Sequence, residues 1–154
     1  MKASTVLSRQ HQRVAELVTH VSSGPCDLDA KLIEIIDSVT VLLMVQRAVL
    51  QSNLVPDRTV AGASVAARIR VVLFAAATTP PDSPLFSRHL RELVELLGER
   101  TTALQQALLM AHGDADALDR EVTRVAESGI SRSGQAARIE AACGAFASEP
   151  LAAV

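Results

Sequence analysis

The sequence has almost no aromatic side chains: it contains no Trp, no Tyr and only three Phe in 154 residues. Proteins that bind single-stranded nucleic acid stack the bases on aromatic rings, so this scarcity argues against that class. The net charge of −2 at pH 7 also argues against it, because phosphate backbones are bound by clusters of Lys and Arg. We therefore predict that the protein does not bind nucleic acid.

Cysteines and long apolar runs are scarce as well. The two cysteines, Cys26 and Cys143, form no CxxC pair and no Cys/His cluster with zinc spacing, so we interpret them as free thiols of a reducing compartment. The N-terminal residues lack the apolar core of a signal peptide. The longest apolar run, residues 71–77, is far shorter than the roughly 20 residues of a membrane span. We expect a cytoplasmic protein that does not associate with membranes.

Apolar residues make up 49 % of the chain and are mostly Ala, Leu and Val. They recur at the three- and four-residue spacing of helices, which predicts long helices at about 4–22, 27–53, 59–78 and 83–113, a shorter helix at 114–127 and a weak one at 135–146. The expected fold class is therefore all-α, an up-down-up-down four-helix bundle with one or two short additional C-terminal helices. Residues 1–127 would form the bundle domain, and residues 128–154 an extension packed on it.

Three polar residues occupy inward positions of three different helices: His11 in the first, Gln46 in the second and Thr101 in the fourth. With antiparallel packing and a rise of about 1.5 Å per residue, they lie at about the same level as Ala66 of the third helix. A lone His or Thr on an apolar face is usually a core residue that is satisfied locally. A buried amide without a partner costs about 1–3 kcal/mol, however. Their convergence predicts a polar site inside the bundle.

Over roughly residues 4–127 the chain resembles the haemerythrin-like (HHE) four-helix proteins. The segment VLSRQHQRVAELV is similar to the first helix of that family, where a His before RV binds iron, and His11 matches this His. The family then has HxxxE late in the second helix, a His early in the third and another HxxxE late in the fourth, and together these ligands hold a di-iron centre. The matched positions here are Leu42 and Gln46, then Ala66 (or Ala63 one turn earlier), then Leu97 and Thr101.

The resemblance thus implies a member of the family that has lost its di-iron site. Iron and manganese need several imidazole and carboxylate donors, and only His11 remains at a matched position. We therefore expect neither a metal nor a cofactor. Small apolar residues in place of the ligands leave two possibilities, an apolar pocket or a filled core.

The first hypothesis is an interior pocket that binds a small organic molecule. The predicted lining residues are Leu42, Ala66, Arg70 and Leu97. His11 would then act as the general acid or base of a cofactor-independent isomerase or cyclase. Gln46 and Thr101 would orient the substrate or stabilise a developing oxyanion.

Two other hypotheses remain open on the sequence alone. The second is a non-enzymatic bundle with a filled core that serves protein contacts or self-association, for example as a homodimer, the commonest oligomer. The third is ligation through a single imidazole, with a haem or a metal ion bound to His11.

Overall fold

The computed structural model describes residues 1–22, 28–52, 54–55, 63–111 and 113–128. These residues form five helices, in chain order α1 (Ala3–Ser22), α2 (Leu28–Gln51), α3 (Ala63–Thr78), α4 (Pro84–Met110) and α5 (Asp116–Ser128). No strand occurs in this part of the chain, which confirms the all-α class. Within the same residues, no helix has the combination of length and apolar character that crossing a membrane requires. The helix predicted at 135–146 and both cysteines lie outside the described residues.

The start of α4 follows the local signals of the sequence. The Ser83 side chain accepts a hydrogen bond from the backbone N–H of Leu85 at 3.3 Å, and Pro84 occupies the first turn. Both choices suit a helix start, where backbone N–H groups lack partners within the helix. The helix ends at Met110, three residues before the predicted stop at Gly113, which has a positive φ of 148°.

Helices α1 and α4 pack against each other and run in opposite directions. The Gln105 side chain donates hydrogen bonds to the carbonyl oxygen of Ser4 at 2.8 Å and to Ser8 Oγ at 2.7 Å. Further along α1, His11 approaches Val94, which precedes Gln105 in α4. Helix α2 also packs against α1 and approaches α4, whereas α3 packs against α4 and α5 packs against α2 and α1.

The buried apolar side chains form two clusters along the length of these helices. The one we name the α3-end cluster consists of Val14, Val18, Ile35, Val39, Leu42, Leu43, Ile69, Val72, Leu73, Ala76, Phe86, Leu90, Leu93, Leu96 and Leu97. The other, the α5-end cluster, consists of Ala3, Val6, Leu7, Val45, Val49, Val55, Leu104, Leu118, Val122 and Val125. Helices α1, α2 and α4 contribute to both clusters, α3 only to the first and α5 only to the second.

Candidate functional site

The three polar residues predicted to converge lie where one apolar cluster gives way to the other. Along each helix, the neighbours of His11, Gln46 and Thr101 belong to different clusters. These neighbours are Leu7 and Val14 in α1, Leu42 and Val49 in α2, and Leu97 and Leu104 in α4. All three polar residues belong to or contact the segment 94–101 of α4. We call them the polar layer.

Gln46 is the most deeply buried member of this layer, with 0 % of its surface exposed. Its Nε2 group donates to Thr101 Oγ1 at 3.1 Å and to the carbonyl oxygen of Leu97 at 3.4 Å. Exchanging the amide nitrogen and oxygen would set two oxygen atoms against each other at Leu97, so the hydrogen-bond network fixes the amide orientation. The side chain of Gln46 thus joins α2 to α4.

The other amide atom, Oε1 of Gln46, is buried and has no hydrogen-bond donor among the described residues. A buried acceptor in this condition costs about 1–3 kcal/mol relative to a paired one. Oε1 of Gln46 can therefore still accept a hydrogen bond from a donor group.

His11 is half-buried and joins α1 to α4. Its Nε2 atom lies 3.1 Å from the carbonyl oxygen of Val94. Because a carbonyl oxygen can only accept, Nε2 must carry the proton of this hydrogen bond. Any acid–base chemistry by neutral His11 would therefore use Nδ1, and ligation of a metal or haem through Nε2 would require breaking this bond.

A glycine in α4 makes this arrangement possible. A Cβ atom at Gly98 would lie 3.0 Å from Nε2 and 3.2 Å from Cε1 of His11. Contacts this short are tighter than nine in ten of those that real Cβ atoms make, so the imidazole lies against the α4 backbone where a side chain is missing. Gly98 was not among the residues singled out from the sequence.

The predicted lining residues divide between the interior and the surface. Leu42 and Leu97 are completely buried in the α3-end cluster, and Ala66 packs against that cluster while half-buried. Arg70 is exposed on α3. The neighbouring Arg68 forms an exposed ion pair with Glu92 of α4 at 3.4 Å.

Arg100 is a buried residue that the sequence reasoning missed. It precedes Thr101 directly, is only 1 % exposed and has an interaction partner of its own. The signal was present in the sequence, because Arg100 follows Leu93 and Leu96 and precedes Leu104 at helical spacing. The helical spacing therefore indicates a charged side chain at an inward position next to Thr101, where charged residues are rare.

The described residues form no metal site at the polar layer. No three His, Cys, Asp or Glu side chains among the described residues lie together in the way that a metal ion would need. Four surface grooves are lined by described residues outside the polar layer. The groove between α3 and α4 has a volume of about 380 Å³ and a charged lining of Arg68, Arg88, Arg91, Glu92 and Glu95.

Donors from α1 and α2 are satisfied by carbonyl and hydroxyl oxygens of α4, and Leu42 and Leu97 are completely buried. Comparisons of the chain with models of protein families, with curated proteins and with solved structures gave no match.

Proposed function

We propose that the protein is a non-enzymatic helical-bundle protein with a filled core, which works through contacts of its surface with other protein chains. The observation that carries this proposal is the complete burial of Leu42 and Leu97 in the α3-end cluster. The sequence predicted these leucines as the lining of a pocket, and neither side chain has exposed surface. Protein interiors of this kind are close-packed and have few voids larger than a water molecule.

The hydrogen bonds of the polar layer support the same proposal. The His11 Nε2 group and the Gln46 amide are both directed at carbonyl oxygens of α4. A group that orients a substrate has to direct its donors at the substrate, whereas these donors hold helices together. Their role in this proposal is structural.

Xenon binding tests whether the core is filled. Xenon enters apolar cavities of about 150 Å³ in proteins. We expect the methyl NMR signals of Leu42 and Leu97 in the wild-type protein to show no saturable shift under xenon pressure. The matched positive control is Leu97→Ala, which should create a cavity and respond to xenon. A saturable response in the wild type equal to that of Leu97→Ala would overturn the proposal.

A second candidate function rests on the buried Oε1 atom of Gln46, which has no donor among the described residues. In this reading the interior binds a small organic molecule with a hydroxyl or amine group that donates to Oε1. His11 would then supply acid–base chemistry through Nδ1, in an isomerase or cyclase reaction that needs no cofactor.

Native mass spectrometry of protein purified from its expression host separates the two candidates. The second candidate predicts a stoichiometric small-molecule adduct on the wild-type chain and its loss in Gln46→Met, which keeps the shape of the side chain without the amide. A bare mass for both proteins would leave the filled core as the better proposal.

We infer an up-down-up-down arrangement of α1 to α4, supported by the antiparallel contact of α1 with α4. We further propose descent from the haemerythrin-like proteins with loss of the metal. Support comes from Gln46 and Thr101, which match the two Glu positions of that family and meet at 3.1 Å.

A further inference from the structure

We propose that one buried water molecule bridges the Gln46 amide and the Thr101 hydroxyl inside the polar layer. The inference rests on the proposed function, in which no larger molecule occupies the interior. Gln46 is 0 % and Thr101 is 4 % exposed, so both side chains are shut off from bulk solvent. Each of them has one hydrogen-bonding group that no described residue satisfies. The two groups are of opposite kinds, one an acceptor and the other a donor.

The acceptor is the Oε1 atom of Gln46, which is buried and has no donor among the described residues. The amide nitrogen of the same side chain is fully used, because Nε2 donates to Thr101 Oγ1 and to the carbonyl oxygen of Leu97. Turning the amide over would break both bonds and place oxygen against the Leu97 carbonyl. Oε1 therefore needs a donor from a molecule outside these three residues.

The donor is the hydroxyl hydrogen of Thr101. Other threonine hydroxyls in the helices donate to the carbonyl oxygen four residues earlier, at 2.7–2.9 Å in Thr19, Thr40 and Thr123. In Thr101 this bond is absent among the described residues, and the carbonyl oxygen of Leu97 receives Gln46 Nε2 in its place. Thr101 Oγ1 accepts from Gln46, but its own hydrogen has no acceptor in the described part of the chain.

The two groups are close enough for one small molecule to reach both. Oε1 and Nε2 belong to one amide, so they are less than about 2.6 Å apart, the sum of the C=O and C–N bond lengths. Since Nε2 lies 3.1 Å from Thr101 Oγ1, Oε1 is within about 5.7 Å of that hydroxyl oxygen. Two O–H···O bonds of about 2.7–2.8 Å cover nearly this limit when they are in line. A shorter separation is bridged with a bend at the middle atom.

The bridge must be an O–H group, because it has to donate to Oε1 and accept from the Thr101 hydroxyl. An ammonium group cannot accept a hydrogen bond, and an ionised carboxylate cannot donate one. Water does both and is the smallest molecule that can, so it suits a close-packed interior with few voids larger than itself. Buried waters in proteins typically make about two to four hydrogen bonds to polar groups that would otherwise be unpaired. An alcohol has the same chemistry but needs more space.

Oxygen-17 relaxation dispersion of the full chain in solution tests for this molecule, since it detects slowly exchanging internal water and does not respond to protein hydroxyl groups. We expect the dispersion amplitude of Gln46→Met/Thr101→Val to be smaller than that of the wild type by the contribution of one water molecule. Thr40→Val is the matched control, because Thr40 is also buried (1 % exposed) and its hydroxyl is bonded to the Ile36 carbonyl oxygen. This variant should keep the wild-type amplitude. Equal amplitudes for the wild type and the double variant would overturn the proposal.

A high-resolution crystal structure of the wild-type protein tests the geometry without relying on any variant. We expect one isolated oxygen peak at hydrogen-bonding distance, about 2.7–3.2 Å, from both Gln46 Oε1 and Thr101 Oγ1. An empty site would overturn the bridging water and leave the filled core intact, because the xenon experiment tests that core through Leu42 and Leu97. Density for an alcohol or another larger molecule would overturn both the water and the filled core.

Discussion

Helices α3 and α5 cover opposite ends of the same three-helix core, but they present different side chains to solvent. Their inner faces are alike: Leu73 of α3 and Leu118 of α5 are both buried in an apolar cluster. On the outside, α5 carries charged residues such as Arg120 and Glu121, whereas α3 carries Val71 and Phe74. The outer face of α5 is charged, whereas that of α3 combines exposed apolar residues with the exposed Arg68 and Arg70.

The difference distinguishes a helix whose large apolar residues are all buried by the described fold from a helix that leaves some of them exposed. In α5 the apolar residues occupy one side only, and burial of that side accounts for the whole apolar pattern. In α3, packing in the α3-end cluster buries Ile69, Val72, Leu73 and Ala76 but leaves Val71 and Phe74 exposed. Burial among the described residues therefore explains the apolar pattern of α5 but not the whole apolar pattern of α3.

The largest expected effects test whether the inner faces are equivalent. Leu73→Ala and Leu118→Ala each remove a nearly buried side chain of the same size, at 4 % and 6 % exposure. Each should lower the free energy of unfolding by about 2–5 kcal/mol, through lost burial and the cavity left behind. Urea denaturation measures both. A loss below about 1 kcal/mol for only one of them would show that this helix is loosely attached and that the two ends are not comparable.

A smaller effect is expected at the border between the two ends, from the contact of His11 with Gly98. Alanine is favoured over glycine inside a helix by about 1 kcal/mol. In the wild-type background we expect the new methyl group to push the imidazole aside by a few tenths of an ångström, which offsets part of this gain. In the His11→Ala background, Gly98→Ala should stabilise the protein by the full amount of about 1 kcal/mol.

A double-mutant cycle from thermal or urea unfolding gives the coupling between the two sites. Additive effects of His11→Ala and Gly98→Ala would mean that the imidazole does not rest on the α4 backbone. His11→Asn serves as the control for losing the ring while keeping a polar side chain.

The polar layer itself should contribute little to stability. Replacing Gln46 by Met and Thr101 by Val keeps the shapes of both side chains, removes the donor together with its acceptor and removes the buried Oε1 atom. Such paired replacements are nearly neutral or stabilising, so we expect a change within about 1 kcal/mol. Thr101→Val alone leaves the Gln46 amide with one bond fewer and should be the less stable variant. The opposite order of the two would contradict the hydrogen-bond assignment.

The smallest effect concerns the outer face of α5. Hydrogen bonds from Arg124, at 2.7 and 3.0 Å, lower the pKa of the Glu121 carboxyl group. The associated stabilisation is present above the ordinary pKa of about 4.3 and is lost as the pH falls through the lowered value. Arg124→Ala should return the Glu121 pKa to its ordinary value in an NMR titration. Because the pair is exposed, stability at neutral pH should hardly change.

The sequence predicted the helices and the buried stripes well because apolar spacing and local caps determine both. Ser83 and Pro84 marked the start of α4, and Leu42, Gln46 and Leu97 were all expected to face inward. The sequence could not predict that Gly98 accommodates an imidazole, because that contact joins residues far apart in the chain. Whether Leu42 and Leu97 fill the interior likewise depends on the spacing between helices. That distance is a property of the packing, not of any one segment.

The polar layer also limits how the helices can slide along one another. Leu90, Leu93, Leu97 and Leu104 of α4 are chemically alike, so moving α2 by one helical turn of about 5.4 Å would keep most apolar contacts. Such a shift would place the Gln46 amide against a leucine and away from Thr101. The lost pairing of the amide costs about 1–3 kcal/mol, much as one buried Asn fixes the alignment of a coiled coil. Between α2 and α4, one glutamine thereby selects a single axial alignment, and we expect Gln46→Met/Thr101→Val to keep its stability but to populate several alignments of α2.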